Sequence, residues 1–141
     1  MKFYIKPKVL FYEKKGCGDN ARQKELLHKA GVEFEVRDIL NTVWTKELLE
    51  AFFEGLSTEN IFNMSALKIK NNAIDITQVS KNEAIELMLK EPILIKRPLL
   101  EINNTKLCGF DIDKINALLN IAMPKPKDIN ECKSSVPCKS V

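Results

Sequence analysis

The sequence predicts an α/β fold in which one mixed four-stranded sheet is flanked by helices, in the order β-α-β-α-α-α-β-β-α. Three observations predict it. The chain has 141 residues, 45% of them hydrophobic, which is the size and composition of a single domain with one packed core. The N-terminal part has the pattern of strand, glycine-rich loop, helix and strand. Towards the C-terminus, two short apolar runs precede an amphipathic helix.

The N-terminal part is predicted to be a β-α-β unit. Residues 8–12 form an apolar, β-rich run that breaks at a glycine-rich loop, and Asp19 or Asn20 is expected to cap the helix that follows. Gly31 suits the left-handed position at which such a helix ends. Residues 32–37 then alternate apolar and charged side chains, as in a half-buried strand. Because a helix connects the two strands, we expect them to pair in parallel.

The middle of the chain is predicted to be helical. One helix is expected to begin at Thr42 or Thr45 and to carry a wide stripe of leucine and phenylalanine, and a short helix is expected near Ser57. The least periodic stretch, residues 68–79, is expected to be mostly loop. Residues 80–83 read Ser-Lys-Asn-Glu, a capping box that begins a further helix, which ends before a proline.

The C-terminal part is predicted to be a hairpin followed by a helix and a tail. An Asn-Asn turn joins two short strands at residues 99–102 and 105–108, because asparagine tolerates the positive φ of tight hairpin turns. An amphipathic helix follows. Residues 1–123 are expected to form one domain. Residues 124–141 contain three prolines among Lys, Ser and Asn and are expected to be a flexible tail.

The charge and the cysteine content exclude several classes of function. The net charge is +3, and the tail supplies +2 of it from four lysines against two acidic residues, which leaves about +1 on the body. Such a body has no general polycationic surface, so no direct nucleic-acid binding is expected. The longest aliphatic or aromatic run, Val9–Tyr12, is too short for a membrane helix or a signal peptide. We therefore expect a cytoplasmic protein whose four cysteines are reduced thiols.

Cys17 is the strongest candidate for a reactive group. It lies between Gly16 and Gly18 at the predicted start of a helix, where the positive end of the helix dipole favours a thiolate. The two glycines leave the backbone uncovered, so that an anion or a second sulfur can approach. The alternative is that Cys17 is a small, inert residue that fills space, as many cysteines are.

Two segments of the chain resemble the arsenate reductase and Spx family. The first is Phe11–Cys17, with Arg22 and Gly31 behind it, and the second is Leu87–Leu99, which contains an Arg-Pro pair and is followed by Leu107–Asp111. The resemblance covers residues 8 to 121. Within the family the chain is most similar to the small proteins described as nitrogenase-associated, through Glu13–Lys24, Val36–Leu40, Trp44-Thr45 and Phe62-Asn63.

The resemblance implies a thioredoxin-like fold, whose element order agrees with the order predicted above, and a site at Cys17. It implies that Pro98 is a cis-proline packed against Cys17 and that Arg97 adds a positive charge; the alternatives are a trans proline that opens an edge strand and a solvated surface arginine. Family members with two redox cysteines have the second one at the position of Asn20. In the arsenate reductase branch the attacking cysteine corresponds to Cys17, and a glutathione or glutaredoxin thiol completes the cycle.

Three arginines hold the oxyanion in that branch, and only Arg97 is retained. The other two positions fall near Asn63 and Gly109, which cannot neutralise an arsenate oxygen. Lys68, Lys70 and Arg22 are the candidate partial substitutes, although a lysine lacks the bidentate fork of arginine. We therefore expect weak or no arsenate reduction.

The remaining cysteines are assigned lesser roles. Cys108 lies in an apolar strand and is expected to be part of the core, whereas Cys132 and Cys138 are either exposed tail thiols or candidate resolving partners of Cys17. The chain has a single histidine, His28, expected on a helix face, and its cysteines lack paired C-x-x-C spacing, so no metal site is predicted. No phosphate-binding glycine motif occurs, and no cofactor is expected beyond glutathione or glutaredoxin as co-reductant.

Two functions from different classes follow. The first is a single-cysteine thiol redox protein that acts on a small thiol or a redox protein, in a nitrogen-fixation setting that includes a nitrogenase-related partner. The second is a non-catalytic protein-binding regulator like the Spx proteins that bind RNA polymerase. Gly109-Phe110 is closer to the Spx branch, whereas Cys17 with Arg97 is closer to the reductases.

Overall fold

The computed structural model describes residues 8–125, and the predicted element order is confirmed there. The strands are β1 (Val9–Glu13), β2 (Glu35–Asp38), β3 (Leu99–Ile102) and β4 (Thr105–Cys108). The helices are α1 (Gly18–Lys29), α2 (Lys46–Phe52), α3 (Leu67–Lys70), α4 (Lys81–Lys90) and α5 (Ile112–Leu119). Short 3₁₀ turns lie at Ile39–Asn41, Thr58–Asn60 and Pro92–Leu94.

The four strands form one mixed sheet in the order β2-β1-β3-β4. The two N-terminal strands pair in parallel, with Phe11 opposite Val36, as the β-α-β unit predicts. Strand β1 also pairs antiparallel with β3, with Phe11 opposite Leu100, and β3 pairs antiparallel with β4 in the predicted hairpin. Asn103 in the hairpin turn has φ +55, the positive value for which asparagine was expected there. The mixed four-stranded sheet of the thioredoxin-like fold is therefore present.

The central strand β1 separates two apolar cores. Its side chains alternate between the faces, so that Leu10 and Tyr12 belong to one cluster and Val9 and Phe11 to the other. Trp44 lies in the first cluster; its indole nitrogen donates to the Ile39 carbonyl at 2.8 Å, as a buried indole requires. Because both faces are covered, every residue of β1 is buried, and the end of this strand is a rigid base for the loop that follows.

The first helix and the second strand lie slightly away from their predicted positions. Helix α1 begins at Gly18 with Cys17 as its N-cap residue, so the prediction of Asp19 or Asn20 as the cap was wrong. The Cys17 side chain makes no capping hydrogen bond at this helix start. Strand β2 begins at Glu35 rather than at residue 32, because only this later segment is in register with β1.

The middle of the chain also differs from the prediction. The helix expected near Ser57 is a single 3₁₀ turn, and the short helix α3 lies partly in the stretch predicted to be loop. The reason is tertiary, since Phe62 forms an isolated bridge with Ile95 and the amide of Asn63 donates to the Leu94 carbonyl at 2.8 Å. These contacts hold the segment extended, where local sequence favours a helix. The capping box at the start of α4 is confirmed.

Candidate functional site

The loop between β1 and α1 presents Cys17 at the N-terminal end of the helix. The Cys17 amide donates to the Lys14 carbonyl at 3.2 Å, and its own carbonyl accepts from the Ala21 amide at 3.1 Å. Gly16 has φ +82, so the turn before the cysteine needs a residue without a side chain. Gly18 has an ordinary φ and is exposed. Cys17 itself is only 4% exposed, so a reactant reaches its sulfur through a restricted opening.

Arg97 contacts the sulfur of Cys17 from the other half of the chain. Its Nε donates to Cys17 Sγ at 3.2 Å, across 80 residues of sequence. The Arg97-Pro98 peptide bond is cis, and Pro98 is buried immediately before β3. The structure thus brings together the cysteine and the arginine that the sequence singled out, with the cis-proline next to the arginine in the chain, and the alternatives of a trans proline and a solvated surface arginine were wrong. A guanidinium that donates to sulfur stabilises the negative charge of a thiolate.

A cleft of about 330 Å³ opens beside this pair. Its volume lies at the lower end of the range for small-molecule sites. Two side chains of opposite sequence halves, Cys17 and Arg97, form part of its wall. The other lining residues are Asp19, Gln23, Phe62, Asn63, Met64, Ser65 and Lys96. The arrangement therefore gives a nucleophilic sulfur, a charged hydrogen-bond donor and room for one small reactant.

Asn20 braces the loop from behind. It is fully buried, its Oδ1 accepts from the Lys14 amide at 3.1 Å, and its Nδ2 donates to Gln23 Oε1 at 2.9 Å. Asn20 is not among the residues that line the cleft. At the position where two-cysteine relatives carry the second thiol, this chain therefore has a structural amide that fixes the loop.

Two of the three charged residues before the cysteine loop are buried. Glu13 and Lys14 are only 7% and 4% exposed, whereas Lys15 is exposed. Both carboxylate oxygens of Glu13 accept from Lys24 Nζ, at 2.8 and 3.0 Å. The strand end is tied to α1 by a paired charge, which is the condition under which a buried carboxylate is tolerated.

The two positions that lack the family's arginines offer no replacement cation. Asn63 lies in the cleft, but its Nδ2 donates to the Ile93 carbonyl at 2.9 Å and its Oδ1 accepts from the Ser65 amide at 3.0 Å. The expected substitutes Lys68, Lys70 and Arg22 do not line the cleft. Lys68 instead contacts Glu91 at 2.6 Å, and Arg22 pairs with Asp19. Each polar atom of the Asn63 side-chain amide therefore makes a hydrogen bond within the protein.

Lys96 is the residue that the sequence analysis missed. It lines the cleft beside Arg97, and its side chain lies against Gly109, with Cε 3.4 Å and Nζ 3.7 Å from the point where a β-carbon of residue 109 would stand. The available signal was the Lys-Arg-Pro run, in which only the arginine and the proline were weighed. The site therefore contains a second cation, which comes from residue 96 and not from residue 109.

Cys108 lies at the end of β4 and packs against the core cluster that contains Tyr12. Burial raises the pKa of its thiol from 9.0 to about 11, and the nearby Lys96 ammonium opposes that shift with a smaller effect. This agrees with the predicted core role.

His28 is exposed on α1, and Cys132 and Cys138 lie outside the described residues. Within residues 8–125 no three His, Cys, Asp or Glu side chains are grouped as metal ligands would be, and no helix is long and apolar enough to cross a bilayer.

Comparison with known proteins agrees with the resemblance seen in the sequence. The ArsC family model matches residues 12–118. The chain is 38% identical over 126 residues to an uncharacterised 15.7 kDa protein in the draG 3′ region of Rhodospirillum rubrum, covering 89% of this chain and 88% of that protein. It is 30% identical over 105 residues to the global transcriptional regulator Spx of Streptococcus agalactiae, covering 73% and 77% of the two chains.

Among solved structures, an ArsC family related protein from Bacteroides fragilis superimposes with a TM-score of 0.67 at 26% identity. The match covers 78% of this chain and 96% of the Bacteroides chain. The matched part of that protein is therefore almost its whole length, so the two share one domain architecture.

Proposed function

Since the chain belongs to the ArsC family, we propose that it is a thiol oxidoreductase that acts through the single cysteine Cys17, with glutathione or glutaredoxin as its reductant. The observation that carries the proposal is the 3.2 Å hydrogen bond from Arg97 Nε to Cys17 Sγ at the N-terminal end of α1. A helix N-terminus and a charged donor together stabilise a thiolate, which is the nucleophilic form of cysteine.

The proposed reaction is thiol–disulfide exchange in two steps. The Cys17 thiolate attacks one sulfur of a substrate disulfide, a new S–S bond forms to Cys17, and the other substrate sulfur leaves as a thiolate that takes up a proton from water. A glutathione or glutaredoxin thiolate then attacks the mixed disulfide, so that the Cys17 thiolate is released and the incoming sulfur becomes oxidised. Arg97 donates to the Cys17 sulfur when it is charged, both before attack and as it leaves.

The resolving thiol comes from outside the described site. Asn20 occupies the position of a second cysteine, and Cys108 is held by burial in the protonated, unreactive form. An external thiol is therefore the proposed resolver, with Cys132 and Cys138 as the alternative, since a tethered thiol acts at a high effective concentration. Mild oxidation and non-reducing peptide mapping separate the two: a disulfide from Cys17 to Cys132 or Cys138 supports the tail, and a glutathione adduct alone supports the external thiol.

A second function is favoured by a different observation. The chain shares 30% identity with the regulator Spx over most of its length, and Gly109-Phe110 at the junction of β4 and α5 resembles that branch. In this alternative the domain binds a protein such as RNA polymerase, and Cys17 does not catalyse thiol–disulfide exchange. Catalytic exchange at Cys17 distinguishes the two, because a binding module does not need it.

The biological setting is also a proposal. The resemblance to nitrogenase-associated small proteins favours a role beside a nitrogenase-related partner, in the cytoplasm. The relative from Rhodospirillum rubrum is described by the location of its gene in the draG 3′ region and not by an activity. Gene neighbourhood in the source genome is the direct check, and absence of nitrogenase genes nearby counts against this setting.

The experiment that tests the proposed function is formation and reversal of a mixed disulfide. Incubation of the reduced protein with oxidised glutathione should give an adduct on Cys17, and added reduced glutathione should remove it. The variant Cys17→Ser should form no adduct at α1, while Cys108→Ser, the matched control for the other described cysteine, should react as the wild type does. A wild-type protein that forms no Cys17 adduct would contradict the proposal.

A further inference from the structure

The cleft beside Cys17 contains two cations from adjacent residues. Lys96 and Arg97 both line it, because the segment before β3 is extended and pairs with the chain near Phe62. The Lys96 amide donates to the Ile61 carbonyl at 3.0 Å, which fixes the backbone from which the side chain enters the cleft. The fold therefore fixes the backbone position of Lys96 beside the cleft.

These two cations keep hydrogen-bonding capacity unused by the protein. Within residues 8–125, the ammonium of Lys96 makes no hydrogen bond or ion pair. Arg97 uses Nε on Cys17, and its Nη1 is buried without a hydrogen-bond partner in the described residues. Among the described residues that line the cleft, Asp19 is the only carboxylate, and it pairs with Arg22. A buried, unsatisfied guanidinium nitrogen is costly unless a ligand accepts from it.

Gly109 gives the lysine its space. A β-carbon on residue 109 would lie 3.4 Å from Lys96 Cε, so a longer side chain there would compete with the lysine for the same volume. The residue is also at φ +88, which disfavours any side chain. The glycine thus leaves room for the Lys96 side chain at the wall of the cleft that Cys17 also lines.

We propose that Lys96 and Arg97 form a carboxylate-binding subsite that makes the cleft selective for small thiols and disulfides bearing a carboxylate. Cys17 and Lys96 line the same small cleft. A single small molecule can therefore present its sulfur to Cys17 and its anionic group to Lys96. A carboxylate accepts from both cations and carries one negative charge. A tetrahedral dianion needs more positive charge, and among the described residues that line the cleft Lys96 and Arg97 are the only cations. This inference rests on the proposed exchange at Cys17.

The test compares two disulfide reagents that differ in charge. Full-length reduced protein is reacted with 5,5′-dithiobis(2-nitrobenzoate), which carries carboxylates, and with neutral 4,4′-dithiodipyridine, and the rate at Cys17 is read by quenching and peptide mapping. Lys96→Gln should lower the ratio of the anionic to the neutral rate about fivefold, the effect of one partly exposed ion pair. Lys96→Arg should restore most of it, and Lys90→Gln, which removes an exposed charge from α4, should leave the ratio unchanged.

The outcomes separate this subsite from the proposed function. An unchanged ratio in Lys96→Gln overturns the subsite while exchange at Cys17 stands. An equal fall in both rates also overturns it, because the lysine then acts on the sulfur and not on the reagent. If Cys17 of the wild type reacts with neither reagent, the proposed function itself fails and the subsite falls with it.

Discussion

Cys17 and Cys108 lie in opposite halves of the chain, and the fold places them in contrasting surroundings. Cys17 is the more buried of the two, at 4% exposed, yet it meets a helix N-terminus and the Nε of Arg97. Cys108 is partly exposed, but burial of its thiol raises the pKa to about 11. The comparison teaches that the groups around a sulfur, and not the exposed fraction of its residue, set its reactivity.

The same lysine touches both environments. Lys96 lines the cleft with Cys17, and its charge also acts on Cys108, where it lowers the pKa less than burial raises it. The charge of Lys96 alone therefore does not overcome the effect of burial on the pKa of the Cys108 thiol. At Cys17 the direct hydrogen bond of Arg97 adds what Cys108 lacks.

The largest expected effect is on arsenate turnover, which tests whether the cleft beside Cys17 can bind a tetrahedral oxyanion. With glutathione and glutaredoxin supplied, arsenate turnover should be at least about 100-fold below that of an established arsenate reductase, since two charge-assisted contacts of about 1.5–3 kcal/mol each are missing. Coupled turnover with arsenate measures this, with the established enzyme as the positive control. A comparable rate would show that Arg97 and Lys96 suffice for a tetrahedral oxyanion and would overturn the carboxylate preference.

The second prediction concerns Cys108 and alkaline pH. The thiol loses its proton near its ordinary pKa of 9.0 in the unfolded chain and near 11 in the folded protein. Between these two pKa values the folded state therefore binds more protons than the unfolded state. The stabilising contribution of the Cys108 thiol is complete below pH 9 and is lost as the pH rises towards 11. Between pH 8 and pH 10.5, the free energy of unfolding of the wild type should fall by about 2 kcal/mol more than that of Cys108→Ala.

Urea denaturation of both proteins under reducing conditions measures this difference. Tyr12, whose pKa is raised chiefly by burial and also by Glu101, titrates in both proteins and cancels in the comparison. Parallel pH profiles for the two proteins would mean that the Cys108 thiol is not desolvated, and the contrast with Cys17 would lose its basis.

The third prediction removes the partner of Cys17. Arg97→Gln should slow alkylation of Cys17 by iodoacetamide at pH 7 about tenfold, because the thiolate loses a charged donor; the higher intrinsic nucleophilicity of a less stabilised thiolate offsets part of that loss. Arg97→Lys keeps the charge without the fixed geometry of the guanidinium and should fall between. Labelling of Cys108 is the internal control, and an unchanged Cys17 rate would remove Arg97 from the mechanism.

The smallest expected effect concerns the tail. Truncation after Met123 should shift the melting temperature by less than about 2 °C. The Lys125–Asp113 ion pair that it removes has side chains 61% and 71% exposed, whereas Met123 is retained, buried and hydrogen-bonded through its amide to Asn116. Thermal unfolding of the two chains measures it. A large decrease would place the domain boundary beyond Met123 and would favour a docked tail.

Much of the site follows from local sequence. The glycines around Cys17 indicate a turn that enters a helix, and the β-α-β and hairpin patterns determine which loop ends face each other, so Cys17 and Arg97, the residue before Pro98, come together. The capping box of α4 is likewise a local feature that the structure keeps. Features determined by hydrogen bonds within a few residues were therefore accessible from the sequence.

The features that the sequence did not predict depend on distant contacts. The burial of Lys14 and the loop brace of Asn20 need α1 folded back on the strand end, and the extended backbone at Phe62 needs Ile95 opposite it. The place of Lys96 needs the empty space above Gly109, which no local pattern encodes. These contacts position the charged and amide groups of the site. The cations that line the cleft could therefore be identified only from the structure.

The most direct test of the account is the peptide-resolved rate of alkylation of Cys17 and Cys108 in one sample of the wild-type protein. Reduced full-length protein is treated with iodoacetamide at pH 7, quenched at intervals and mapped, so that each cysteine reports under identical conditions. The account predicts that Cys17 is labelled at least about tenfold faster although it is the less exposed residue. Equal labelling, or faster labelling of Cys108, would contradict the claim that Cys17 is the reactive thiol.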